Sequence, residues 1–152
     1  MFKVMFFEFE SDFVESLRCI PMVVRYKLDR SGVKLKLQHW HGFDPTDRQG
    51  LVDRPCETEA ETAAYRAYVR SLVVAQTNQP PGDLPIDDPL PWEIPDLPAE
   101  VLAQAAIDHV AITPAQWSSL SSLQRFALFK LSRSGHENRN FTPAAREFGL
   151  VP

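Results

Sequence analysis

Two stretches of this chain align without a gap at an offset of 77 residues: IPMVVRYKLDRSGVKLKLQHWHGFDPTDRQGL from Ile20 and LPAEVLAQAAIDHVAITPAQWSSLSSLQRFAL from Leu97. The matches include uncommon residue types. Pro21 meets Pro98, Trp40 meets Trp117 and Arg48 meets Arg125. Val24 meets Val101, Val33 meets Val110, Leu35 meets Ile112, Phe43 meets Leu120 and Leu51 meets Leu128. Self-similarity at one period constrains a fold strongly, because each copy must build the same local unit.

The physics of the two copies agrees. Each opens with proline at a helix start, where the missing amide costs nothing. Gly32 suits the left-handed residue that closes the first helix. A short V-x-[LI] link follows, then a tryptophan five residues beyond its last apolar member. In the second copy Thr113, Pro114 and Gln116 make a capping box, with Ile112 placed to staple onto Trp117. Further helix starts lie at Asp44-Pro45 and at Ser121 with Gln124. The expected fold is mainly α, a single domain over residues 1–152 built from two tandem helix–loop–helix repeats in an EF-hand-like layout. Calcium does not suit it. With Gly32 at the turn position, the first and twelfth ligand positions are Lys27 and Gln38, where carboxylates are needed. The symmetry predicts that Val33–Leu35 and Val110–Ile112 pair as a two-stranded ribbon.

Repeat one covers about residues 20–54 and repeat two about 97–131. A first helix is expected from Ser11 or Asp12, with Phe13, Leu17 and Ile20 on one face, interrupted at Pro21. A long helix is expected over about 58–77. Thr58 and Glu61 form its capping box, and Tyr65, Tyr68, Val69, Leu72 and Val73 its apolar stripe. The arm over residues 78–98 contains seven of the chain's thirteen prolines. Leu84, Ile86, Leu90, Trp92 and Ile94 occupy alternate positions there, with only Asp88 breaking the series. That pattern predicts an ordered strap with one face against a surface and Trp92 as its anchor. A loop and short helix occupy 132–152, with Thr142-Pro143 opening the helix and Gly149 ending it.

Net charge is −4, and no Lys or Arg occurs between Ser71 and Gln124, a stretch holding seven acids. The acidic middle either steers a protein partner or matches the basic ends internally. With no basic recognition helix, nucleic acid is not an expected partner. No apolar run approaches the ~20 residues that cross a bilayer. Glu8, Glu10 and Asp12 interrupt the apolar N-terminal run, so no secretory signal is read and a cytoplasmic location is expected. Cys19 and Cys56 are read as reduced thiols, at least one of them buried, with Cys19 in a core-like context.

His39 and His41 flank Trp40 and are read as surface histidines, because i and i+2 diverge on a helical turn. His136-Glu137 opens like a zinc-protease HExxH, but Asn140 stands where the second histidine belongs. No phosphate loop, dinucleotide fingerprint or nucleophile elbow occurs. Near the C-terminus Arg125, Lys130, Arg133, Arg139 and Arg146 face one acid, Glu137. Lys130, Arg133, His136, Glu137, Asn138, Arg139 and Asn140 are therefore the candidate binding residues, for a protein partner or a phosphate. The competing reading is an ordered loop whose Asn and Glu side chains cap neighbouring backbone. No catalytic residue, metal ligand or bound cofactor is expected.

The runs FFEFESDFVESLRCIPMVVRYKLDRSGVKLKL and LQRFALFKLSRSGHENRNFTPAAREFGL resemble the nitrate reductase-associated protein family. The resemblance covers roughly the first 56 and the last 40 residues. It implies a cytoplasmic accessory protein needed for active nitrate reductase, not the reductase itself. It implies as partner nitrate reductase or a molybdopterin-handling protein, with neither nucleic acid nor membrane. No catalytic residue carries over from the family. The alternative is a small enzyme acting on an anionic metabolite, with His136 and Glu137 as acid and base.

Overall fold

Prolines, capping side chains and left-handed residues set where the helices begin and end. The structure, a computed structural model, describes residues 6–11, 19–133 and 137–151. The described part of the chain is mainly helical and clusters into two compact units. The first is built around Glu10–Ile86, the second around Asp87–Pro152 together with Phe7–Phe9. No described helix is long and apolar enough to cross a membrane. Beyond Ser11, the helix expected from Ser11 or Asp12 lies, with Asp12, Phe13 and Leu17, outside the described residues.

In the first unit α1 (Met22–Ser31) starts after Pro21 and stops at Gly32, which takes φ 72° and donates its amide to the Leu28 carbonyl. A short strand β1 (Val33–Lys34) leads to α2 (Leu37–Gly42) and α3 (Pro45–Asp53). The Asp44 carboxylate accepts the Asp47 amide at the start of α3. The long helix α4 (Glu59–Thr77) opens with the Thr58–Glu61 capping box, both bonds 3.0 Å. It turns Tyr65, Val69 and Val73 into a core shared with Met22, Val24, Leu28, Trp40 and Leu51. The Tyr65 hydroxyl donates to the Leu51 carbonyl at 2.7 Å, which satisfies the one polar atom that burial would otherwise strand.

The ribbon is real but its partner differs from the symmetric expectation. Val33–Lys34 pairs antiparallel with β2 (Gly82–Asp83), Val33 opposite Asp83. Val110–Ile112 forms no strand. The reason is local hydrogen bonding. The Val110 amide is spent on the Ala105 carbonyl (2.8 Å), closing a helix rather than a ladder. In the first unit Arg66 ties the arm down, donating to the Ser31 and Gly32 carbonyls and to Asp83 Oδ1. The Leu84 amide adds a bond to the Gly32 carbonyl at 2.9 Å.

In the second unit α5 (Ala99–Ile107) starts after Pro98, and His109 takes the left-handed conformation beyond its end (φ 58°). The helices α6 (Pro114–Ser119) and α7 (Ser122–Arg133) both open with capping boxes, Thr113 with Gln116 and Ser121 with Gln124. A 3-10 turn (Glu137–Asn140) leads into α8 (Phe141–Glu147), and Gly149 follows in the left-handed region. Phe126, Leu128, Leu131 and Phe141 centre this core with Trp117. Phe7 and Phe9 stack on one another and meet Phe148 edge-on. Both Glu147 carboxylate oxygens accept amides there, from Glu8 and Phe9.

Element starts fall at matching positions under the 77-residue offset: Met22 with Ala99, Leu37 with Pro114, Pro45 with Ser122. The left-handed residues Gly32 and His109 also correspond. Trp40 and Trp117 are both fully buried. Arg48 donates to the Trp40 and His41 carbonyls, and Arg125 to the Leu120 carbonyl, so each closes the end of the turn that carries a tryptophan.

The proline-rich arm is held at two points. In the first unit Ile86 lies over Gly32, where a Cβ would come within 2.8 Å of its Cδ1, although Ile86 itself is 52% exposed. In the second unit Trp92 is only 3% exposed. Its ring meets Phe126 and Phe129 at centroid distances of 4.9 and 5.7 Å. Arg125 Nε donates to its carbonyl at 2.7 Å.

Candidate functional site: the C-terminal cationic loop

The last turn of α7 carries Lys130 and Arg133. Their stems lie along the helix's own aromatics: Lys130 Nζ stands 5.6 Å from the Phe126 ring centroid, and the Arg133 guanidinium 5.3 Å from that of Phe129. Spacings of four residues produce both contacts. Arg133 and Arg139 are exposed, while Lys130, Glu137, Asn138 and Asn140 are half-buried. His136 lies outside the described residues, so the proposed His136–Glu137 acid–base pair has no geometry here.

Asn138 points inward. Its Nδ2 donates to Gln104 Oε1 at 2.9 Å, and Gln104 Nε2 donates to Asp108 Oδ1 at 3.1 Å. Thr142 Oγ1 donates to the other Asp108 oxygen at 2.9 Å. This relay ties the loop to α5 and α8. Its open end is the Asn138 Oδ1 atom, buried and without a hydrogen-bond partner among the described residues. Gln104 and Asp108 were not among the expected site residues. The signal for them was present in α5, where Gln104 shares the inward face with Val101 and Ala105. Among the seven candidates the structure thus separates two outward guanidiniums from an inward-bonded Asn138. An exposed guanidinium can hold a carboxylate or phosphate; the relay can only position backbone.

The chemically distinctive groups of the first unit are engaged structurally. Cys56 is the buried thiol and Cys19 is exposed, the reverse of the core-like context expected for Cys19, which sits in the bend before Pro21. Burial pushes the Cys56 thiol above its ordinary range, which disfavours the nucleophilic thiolate. Burial also lowers the Lys27 ammonium's pKa; its Nζ donates to the Val52 and Arg54 carbonyls at 2.7 and 2.6 Å. His39 is not a surface histidine. It is buried, and its Nδ1 accepts the Lys36 amide at 3.2 Å, the capping task usually given to Glu or Gln. No group of three or more His, Cys, Asp or Glu side chains placed to hold a metal ion occurs among the described residues.

No curated protein and no solved structure matches the chain. The family model of conserved nitrate reductase-associated proteins matches residues 6–148, including the proline-rich arm and both ends of the cationic loop. On that match, which spans nearly the whole sequence, the chain belongs to the conserved nitrate reductase-associated protein family.

Proposed function

We propose that this protein is a non-catalytic accessory factor of nitrate assimilation that works by binding nitrate reductase or its molybdopterin cofactor. The family match over residues 6–148 is the observation that carries this reading. The exposed Arg133 and Arg139 support it, one at the end of α7 and the other beside Asn138, which is hydrogen-bonded to Gln104. On this reading the two copies at the 77-residue offset are tandem helix–loop–helix repeats that serve as scaffold within one functional domain. The cationic loop belongs to the second copy alone. The protein works in the cytoplasm, beside the enzyme it serves.

The test is affinity purification of the tagged chain from nitrate-grown cells, with the Arg133→Ala/Arg139→Ala variant in parallel. Reductase recovered with the wild type and lost with the variant supports docking through the loop. Its reproducible absence from the wild type, with no binding of molybdopterin to the purified protein, rejects the proposal. Molybdopterin bound by the wild type and not by the variant selects the cofactor as the ligand.

A further inference from the structure

Helix α5 is built inside out. Ala99, Leu102, Ala103, Ala106 and Ile107 recur at the spacing of one helical stripe, and all five are exposed. Leu102 and Ile107 are 50% and 68% exposed. The buried face carries Gln104 beside Val101 and Ala105. This rotation is fixed. Turning the helix to bury Leu102 and Ile107 would break the Gln104–Asn138 and Asp108–Thr142 hydrogen bonds and strand buried polar atoms.

The other copy indicates what such a face ordinarily meets. Under the 77-residue offset the stripe corresponds to Met22, Arg25, Tyr26, Asp29 and Arg30 of α1, none of them exposed. That side of α1 lies against the connector into the long helix α4. The Tyr26 hydroxyl donates to Glu57, and Arg30 donates to the Cys56 and Glu57 carbonyls. In the second unit the chain after α7 reaches α5 through Gln104 and Asp108, on the helix's inward side. Among the described residues the stripe therefore lacks the covering segment that its counterpart has. It also replaces the two arginines and the aspartate with leucine, isoleucine and alanine.

Charge selects the occupant. Glu100 borders the stripe, Asp96 and Glu93 are exposed just before the helix, and no Lys or Arg occurs from Ser71 to Gln124. A second copy of the chain would set these acids against their own kind. We propose that the outer face of α5 docks an amphipathic helix of another protein, one whose bulky apolar side chains pack over Ala99, Ala103 and Ala106 and are flanked by Lys or Arg. This surface is distinct from the cationic loop and does not depend on the partner being the reductase.

The test uses the full-length protein and two labelled 18-residue helical peptides with the same leucine stripe, one with lysine and one with glutamate at the remaining positions. Binding is followed by fluorescence anisotropy, and the site by amide chemical-shift changes. The lysine peptide should bind, shift residues 99–107, and lose about tenfold or more in affinity with Leu102→Ser/Ile107→Ser. Ala103→Arg should weaken it independently. Both variants change exposed positions and should keep the wild-type circular dichroism and melting temperature. Undiminished binding by the serine variant, equal binding of the glutamate peptide, or no binding at millimolar peptide each overturns the proposal. A homodimer in sedimentation that the serine variant dissolves also overturns it, in favour of a second copy.

Discussion

Replacing Trp92 tests whether the proline-rich arm is anchored by its indole. The side chain is almost completely buried, packed edge-on against Phe126 and tilted over Phe129. Large-to-small changes at such sites cost about 3–5 kcal/mol, the transfer term plus the cavity left behind. Trp92→Phe should cost far less, about 1 kcal/mol. It keeps most of the aromatic contact and removes an Nε1–H that is buried without a hydrogen-bond partner among the described residues, a defect worth about 1–3 kcal/mol in itself. Urea unfolding followed at 222 nm reads the difference. With a slope of about 2 kcal/mol per molar, Trp92→Ala should lower the midpoint by roughly 2 M and Trp92→Phe by about 0.5 M. Limited proteolysis gives a second readout. Wild type should resist cleavage between Gly82 and Glu93, and Trp92→Ala should be cut there within minutes. A Trp92→Ala protein that unfolds within about 1 kcal/mol of wild type, or a wild type cut rapidly in the arm, refutes the reasoning. So does a Trp92→Phe loss equal to that of Trp92→Ala, which would mean that the Nε1–H is engaged.

Three further outcomes are expected. A thiol reagent should label one cysteine quickly in the native protein, Cys19, and reach Cys56 only after denaturation, because burial holds that thiol protonated; two fast thiols would contradict this. His39 titrates below its ordinary value of 6.5, first through burial and then through the Lys36 charge, so the unfolded chain binds its proton more readily. Its contribution to stability is then complete above pH 6.5 and is lost as pH falls through the folded value, and His39→Gln should flatten that slope in urea titrations between pH 7.5 and 5. Gly32→Ala should destabilise by about 2 kcal/mol or more, because left-handed strain adds to a Cβ 2.8 Å from Ile86; Gly149→Ala, with nothing within 4 Å, should lose only the strain, about 1 kcal/mol.

Local punctuation was readable from residue types. Capping boxes at Thr58 and Thr113, the start at Pro45 and the left-handed stop at Gly32 depend on neighbours a few residues away, and those neighbours are in the sequence. The partner of β1 was not readable in this way. Symmetry pointed to Val110, but Arg66 and the Leu84 amide, both distant in sequence, decide the pairing. The same holds for the cationic loop. Its basic residues stood out, whereas the inward turn of Asn138 depends on Gln104, 34 positions away. His39 differs from the surface histidine its neighbours suggest because its ring supplies the acceptor for the Lys36 amide three residues before it.

The hydrogen bond from the Glu8 amide to Glu147 joins residues 139 positions apart. A ribosome releases Phe7, Glu8 and Phe9 before Glu147, so these three residues wait for the carboxylate and the Phe148 ring that receive them. The first unit, by contrast, has its ribbon and core complete once Ile86 has emerged. During synthesis Phe7 and Phe9 therefore lack the ring that receives them for as long as the second unit remains unfinished. Substituting Glu147 and Phe148 together would remove those partners for good.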